Sequence, residues 1–323
     1  MKNTHSKVMV IGSGTWGTAL SNHLAVNNCA VYLNSIEKDV VNEINQKNSN
    51  SKYFPNLKLH KNIQAGTDFK SDVDFVFIVV PSNVARSVFE KISTTNFKKT
   101  CGFVICSKGF EDKTLSLLSD SFERITKNKN YVVLSGPNFA VEVANQVPSV
   151  TTIASKNKKI AQKVIKILNN ENFKALYFND PRTAEICGIV KNILAIGCGI
   201  VDGLELGVNT KSALLVKGIS EIQALCKKIK ASSDVANPAG FGDIFLTCSS
   251  TKSRNNTLGT LIAQGKTPDK NTTYEGANSA KVIVEFAKKY KLKLDLCEAL
   301  SKIIIEKFSR NEIKSRIIKA ILS

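Results

Sequence analysis

The sequence predicts an α/β amino-terminal domain followed by an all-α carboxy-terminal domain. Three observations carry that expectation. Short apolar runs alternate with polar, helix-period segments as far as about residue 180. A glycine-rich turn follows the first of those runs directly. Beyond residue 180 the helix period dominates and strand-like runs become scarce. A chain of 323 residues suits two domains. We place them at 1–180 and 181–323, with the boundary near 178–182.

The strand-like runs fall at 8–11, 31–33, 75–80, 103–106, 132–134 and 150–153. They are apolar throughout rather than alternating, as befits a parallel sheet covered on both faces. Helical segments such as 15–26 and 84–93 lie between them. The first strand runs into Gly12-Ser13-Gly14-Thr15-Trp16-Gly17, an uninterrupted GxGxxG. Gly12 would let the chain turn sharply, Gly14 would let the backbone approach a pyrophosphate, and Gly17 would let helix and sheet pack closely. The helix start that follows offers N–H groups and a partial positive charge to phosphates. In this strand–turn–helix setting the motif marks a Rossmann-like dinucleotide-binding domain. The second strand should end in an acid that holds the adenine ribose. It reads Leu33-Asn34-Ser35-Ile36-Glu37-Lys38, with no acid or arginine at that place, so NAD and NADP both stay open. Past the boundary, helical segments are expected at 183–201, 210–228, 276–289 and 298–308, and another from Ser253 to about Gln264.

Composition narrows the class. Hydrophobic residues at 43% and charged residues at 22% exclude a disordered, collagenous or coiled-coil chain. The net charge is +18, but only six of the 45 basic residues are arginines (Arg86, Arg124, Arg182, Arg254, Arg310, Arg316). Nucleic-acid readers lean on arginine forks, and these lysines are scattered, so no nucleic-acid partner is expected and most of the charge is a solvated face. The eight cysteines form no CxxC pair and no cluster with histidine; we expect buried thiols, no disulfide framework and no metal. The amino terminus has no apolar core of a signal peptide. The longest nearly apolar stretch, 186–201, falls short of the ~20 residues of a membrane span and contains Lys191 and Asn192, so the chain reads as soluble and cytoplasmic. The three histidines are His5, His23 and His60. The commonest general base is therefore missing from the second half.

Another proton carrier must stand there. Lys191 lies on an otherwise apolar, glycine-rich helix, where a lysine costs stability unless it is paired or lines a cavity. Desolvation and a neighbouring cation would both tune it toward acid–base work; the alternative is a lysine snorkelling to the surface. Gly197, Gly199 and Gly203 suggest close approach of a backbone or ligand. A second constellation is Phe241-Gly242-Asp243-Ile244 with the polar loop 247–256. Ser253 is a good N-cap, and Arg254 in the first turn opposes the helix dipole unless an anion such as phosphate binds there. Cys106-Ser107-Lys108-Gly109 and the loop from Leu134 to Ala140 leave strands at the edge where open α/β sheets place ligands.

Together these motifs resemble the bacterial-type NAD(P)-dependent sn-glycerol-3-phosphate dehydrogenases. The matching segments are Gly12 to Leu20, Ser107-Lys108-Gly109, Leu134-Ser135-Gly136-Pro137, Val190-Lys191-Asn192 through Gly207, Gly240 to Asn255 and Tyr274-Glu275-Gly276. They stand in the family's order over nearly the whole chain. The resemblance implies that Lys191 is the general acid/base at the C2 oxygen and that Lys108 contacts both substrate and cofactor. Asp243, counted with these two as catalytic, and Thr247 would position the polyol end, and Asn192 would support Lys191. Ser253, Arg254 and Asn255 would hold the substrate phosphate, with Arg254 also near the cofactor. Beyond Gly12, Gly14, Thr15 and Gly17, the dinucleotide site would be lined by Ser13, Trp16, Gly136, Ala140 and Glu275, with Gly136 also on the substrate side. The resemblance further implies NAD or NADP as cofactor, dihydroxyacetone phosphate as substrate, a supply role in glycerophospholipid synthesis, and a cytoplasmic homodimer without a stable membrane anchor.

The sequence departs from the usual pattern at Asn138, where serine is usual, and at Val208, where aspartate is common. Lys217 stands for an arginine, and Ile36 for the arginine that often follows the second strand. These changes bear on cofactor preference and affinity rather than on the reaction. A 3-hydroxyacid or 6-phosphogluconate-type dehydrogenase would share the plan and a lysine base but lacks the Ser-Arg-Asn loop. A non-catalytic dinucleotide-binding regulator would need no proton carrier. Peripheral membrane attachment through 302–321 is set against a packed helix face carrying residues 303, 304, 308, 317, 318 and 321.

Overall fold

The computed structural model describes residues 6–111, 113–250, 253–269, 272 and 274–323. The chain forms two compact units, Met1–Glu111 with Leu118–Pro181, and Asp112–Leu117 with Arg182–Ser323.

The first unit runs β1 (Lys7–Ile11), α1 (Thr15–Val26), β2 (Ala30–Asn34), α2 (Lys38–Lys47), β3 (Ile63–Gly66), β4 (Phe75–Ile78) and α3 (Ser82–Thr94). It continues with β5 (Gly102–Ile105), α4 (Leu118–Thr126), β6 (Tyr131–Ser135), α5 (Ala140–Ala144), β7 (Ser149–Ala154), α6 (Lys158–Leu168) and β8 (Phe173–Phe178). These eight strands make one sheet in the order β8-β7-β6-β5-β4-β1-β2-β3. Strand order reverses between β1 and β4, the place where doubly wound sheets bind ligands beyond the strands' carboxyl ends. The inner strands are apolar on both faces because helices cover both: β4 and β5 are buried at every residue. Phe77, Phe89, Phe103 and Phe122 are among the largest fully buried side chains of this core.

Two edge strands, β3 and β8, escape a search for apolar runs because only alternate residues are inward: β8 is buried at Phe173 and Ala175 and exposed at Lys174 and Leu176. The sheet is also not wholly parallel. β6 and β7 pair antiparallel, Leu134 opposite Ile153. The only helix between them is α5, which at five residues spans ~8 Å. A parallel crossover usually recrosses the strand through a helix, and α5 is too short to do so.

The second unit is helical: α7 (Pro181–Gly203), α8 (Gly207–Lys228), a π-turn (Pro238–Gly242), α9 (Asp243–Ser249), α10 (Arg254–Ala263), α11 (Glu275–Lys289), α12 (Asp295–Ile305) and α13 (Arg310–Leu322). At 23 residues α7 is longer than the expected stretch and, by length and composition alone, could cross a bilayer; its apolar window is entirely buried in the protein. Helices pack on it at backbone distance. A Cβ on Gly199 would lie 1.9 Å from the Asn256 carbonyl oxygen of α10, and one on Gly259 would lie 2.0 Å from that of Ile196. Arg310 at the start of α13 gives Nη1 to the carbonyls of Gly203 (2.9 Å) and Ala263 (3.0 Å), tying off the ends of α7 and α10. The carboxyl end is two helices, broken where Ser309 and Glu312 form a capping box. None of residues 303, 304, 308, 317, 318 and 321 is exposed, and Ile303 and Ile317 are buried.

All eight cysteines are buried and unbridged. Burial pushes the Cys29 thiol up to about 11 and that of Cys101 up to about 12, so these are packing groups.

Candidate active site

The glycine turn leaves β1 at the reversal point of the sheet. Gly12 has φ +109°, and a Cβ there would sit 2.3 Å from the Val79 carbonyl oxygen. A Cβ on Gly17 would lie 1.8 Å from the Gly12 oxygen, whereas one on Gly14 would meet nothing within 4 Å. Two glycines are thus demanded by the fold, and the third opens space. That space faces the start of α1, whose N-cap Gly14 makes no side-chain capping bond and whose first turn has no acid. Main-chain N–H groups and the dipole's positive end are therefore left for an anion, and the cradle fits the pyrophosphate of a dinucleotide.

The loop is braced from residues that sequence spacing does not reveal. Ser13 and Ser35 hydroxyls lie 2.6 Å apart, and Asn50 donates to the Ser13 carbonyl (3.0 Å) and the Thr18 hydroxyl (2.8 Å). Thr15 is exposed on the first turn; Trp16 is partly buried against the cluster of Ala19, Phe54 and Ala144. At the end of β2, Asn34 donates to the Asp68 carbonyl (3.1 Å) and Ile36 is 95% exposed. Glu37 accepts from Tyr53 (3.0 Å) and Lys52.

Lys108 and Gly136 stand at the carboxyl ends of β5 and β6. Ser107 Oγ donates to the Val80 carbonyl at 2.5 Å, and Lys108 beside it is partly exposed. Gly136 is buried 2.9 Å, by its would-be Cβ, from Thr151 Cα. Asn138 donates to the Val150 carbonyl at 3.0 Å. Of the histidines, His23 belongs to the core: its Nε2 lies 2.7 Å from the Leu168 carbonyl, and burial lowers its pKa.

In the second unit the structure brings Lys191, Asp243 and Thr247 together. Lys191 Nζ donates to Asp243 Oδ1 at 2.5 Å and to Thr247 Oγ1 at 3.1 Å; Thr247 in turn donates to the Asp243 carbonyl at 2.7 Å. Lys191 is 8% exposed and Asp243 1%. The charge meeting Lys191 is thus an anion rather than a second cation. It stabilises the ammonium form, which is the form a proton donor needs. Asp243 opens α9 directly after the π-turn, in which Asn237 accepts the Gly240 N–H at 3.0 Å, and this turn aims the carboxylate inward. A buried pair repays its desolvation only with good geometry and further hydrogen bonds, which Thr247 supplies.

The proposed phosphate end is α10. Ser253 caps it, accepting from Asn256 N at 3.4 Å; Arg254 is exposed on a first turn without an acid. Thr251 and Lys252 lie outside the described residues. Asn255 is buried and accepts the Gly276 N–H at 3.1 Å, which leaves its NH2 end as the donor toward an anion. Asn192 sends its amide to the Gly188 carbonyl (3.5 Å) and to Glu275 (3.4 Å), placing Glu275 beside the Lys-Asn helix.

Known proteins are similar to this chain in sequence and in fold. Residues 7–161 match the family profile for the N-terminus of NAD-dependent glycerol-3-phosphate dehydrogenase, and residues 180–315 match the profile for its C-terminus. The chain is 33% identical over 312 residues to a glycerol-3-phosphate dehydrogenase (NAD(P)+) of Parvibaculum lavamentivorans, covering 94% of this chain and 93% of that one. It is 37% identical over 311 residues to a chloroplastic NAD(+) glycerol-3-phosphate dehydrogenase of Arabidopsis thaliana, covering 92% of this chain and 74% of the plant protein. The crystal structure of glycerol-3-phosphate dehydrogenase from Coxiella burnetii superposes with a TM-score of 0.90 at 29% identity, over 98% of this chain and 99% of that one.

Proposed function

We propose that this chain, which belongs to the NAD-dependent glycerol-3-phosphate dehydrogenase family, interconverts dihydroxyacetone phosphate and sn-glycerol 3-phosphate with NAD(H) or NADP(H). The observation that carries the reading is the buried Lys191–Asp243–Thr247 cluster, lying in a chain matched to the family over both halves. When bound, the nicotinamide supplies or accepts the hydride at C2. Every other task falls to the protein.

In the direction of reduction Lys191 gives a proton from its ammonium to the C2 oxygen as negative charge develops there. Asp243 holds that ammonium in place, and Thr247 fixes the carboxylate and the lysine in one chain of hydrogen bonds. Lys108 contributes further positive charge and contacts substrate and cofactor. Ser253, Arg254 and Asn255 at the start of α10 take the substrate phosphate, a fork and a helix dipole acting on one anion. Gly12 to Gly17 cradle the pyrophosphate, and Ser13, Trp16, Gly136, Ala140 and Glu275 line the dinucleotide site. Asn192 supports the arrangement through Glu275. The division of labour follows 1–180 for the dinucleotide and 181–323 for substrate and catalysis. The product would feed glycerophospholipid synthesis in the cytoplasm, made by a homodimer.

Oxidation of NADH and of NADPH with dihydroxyacetone phosphate, followed spectrophotometrically, tests the proposal. Turnover with at least one dinucleotide is expected. Silence with both, or preferred turnover of 6-phosphogluconate or a 3-hydroxyacid, would overturn it.

A further inference from the structure

Lys108 stands on a loop whose other members are all buried. Ser107, Gly109, Phe110 and Glu111 are inside, and Lys108 alone among the five is partly exposed. Each flank is fastened. Ser107 is bonded to the Val80 carbonyl. Gly109, at φ +141°, lies so near the start of α3 that a Cβ would come within 2.5 Å of Ser82 Oγ. Glu111, 1% exposed, takes Arg86 Nη1 from α3 on Oε1 at 3.2 Å and Arg124 Nη2 from α4 on Oε2 at 3.3 Å. A buried carboxylate is retained only where charge and hydrogen bonds compensate it. Two of the chain's six arginines converge on this one. Their forks reach further: Arg86 Nε holds Glu90 at 2.9 Å, and Arg124 Nη2 holds Ser121 Oγ at 3.0 Å. A lysine's single ammonium could not keep both bonds in fixed geometry.

We propose that Glu111 is a positioning residue for Lys108. The Arg86–Glu111–Arg124 clamp ties the loop after β5 to α3 and α4, and so sets where the one outward side chain of that loop is presented. The inference rests on the reading of Lys108 as a substrate-contacting residue.

A double-mutant cycle on the full-length enzyme tests it, with kcat and KM for dihydroxyacetone phosphate, dinucleotide affinity and thermal midpoint measured for each variant. Lys108→Ala is expected to lower kcat/KM at least ~100-fold. Glu111→Gln is expected to lower it ~10-fold through misplacement, with dinucleotide affinity changed less than about twofold. In the Lys108→Ala background Glu111→Gln should cost nothing more, because there is no ammonium left to position. Equal losses from Glu111→Gln in both backgrounds would show a merely structural residue and overturn this inference alone, as would an unchanged kcat/KM in a folded Glu111→Gln. Full turnover in Lys108→Ala would overturn the reading of Lys108 and this inference with it. If Glu111→Gln does not fold, Arg124→Lys, which keeps the charge and loses the fork, completes the same cycle with the same two outcomes.

Discussion

In the first unit the candidate pyrophosphate cradle is made of backbone. Its offer to a ligand is the uncapped start of α1 and the open space over Gly14, and side chains such as Asn50 and Ser35 serve only to hold that backbone still. In the second unit the candidate site is made of side chains, Lys191, Asp243 and Thr247, buried and bonded to one another on α7 and α9. The two should fail differently when altered. A backbone site is broken by adding a methyl group, and a side-chain site by removing a functional group. The first loses binding or stability; the second loses chemistry.

The largest effect is expected in the second unit. Lys191→Ala should lower kcat at least ~1,000-fold, as loss of a general acid does, while a fluorescence titration finds dinucleotide affinity little changed. Near-normal turnover would remove Lys191 from the reaction. Arg254→Ala comes next and separates binding from chemistry: KM for dihydroxyacetone phosphate should rise ~10- to 50-fold with a smaller change in kcat. An unchanged KM would count against Arg254 as the phosphate ligand.

The first unit supplies a paired contrast of single methyl groups. Gly17→Ala forces a Cβ against the Gly12 carbonyl and should cost ~1–3 kcal/mol of stability, read as a lower thermal midpoint. Gly14→Ala meets no protein atom and should leave the midpoint alone while weakening dinucleotide binding about tenfold. If both variants lose stability equally, the space over Gly14 is structural and the contrast between the units collapses.

The smallest effect concerns Glu221 of α8, a buried side chain that serves only the fold. Its carboxylate accepts the N–H groups of Leu296 (2.6 Å) and Cys297 (3.0 Å) at the start of α12. Burial raises its pKa above 4.5. A raised folded-state value means protonation favours the native state, so this contribution is full below the ordinary glutamate range and fades as pH climbs through the raised value. Glu221→Gln should cost ~1–2 kcal/mol, with the larger deficit on the acid side of that window, measured by denaturation at several pH values. A deficit that grows toward neutral pH would contradict the sign.

The glycine turn is legible in the sequence because its six residues are consecutive and each glycine answers a local demand that the structure displays at Gly12, Gly14 and Gly17. The apolar inner strands are legible for a similar reason, while β3 and β8 are not, since an edge strand buries only alternate residues. The cap of α10 at Ser253 is equally local. The pairing of Lys191 with Asp243 spans 52 residues, and no spacing rule joins them. Arg86 and Arg124 reach Glu111 from 25 and 13 residues away, and its neighbours in the sequence, Lys108, Asp112 and Lys113 among them, give no hint of its burial.

By itself, then, the sequence determined the fold class, the apolar inner strands, the glycine turn, and that no histidine stands in the second half to carry a proton, since none follows residue 60. Those are statements about composition and about residues within a few positions of one another. Tertiary structure alone decided the reversal of β7, the inward turn of Asp243 onto Lys191, and the burial of Glu111 between two arginines. Burying a charge is unfavourable until an opposite charge meets it, and that meeting exists only once distant segments have packed.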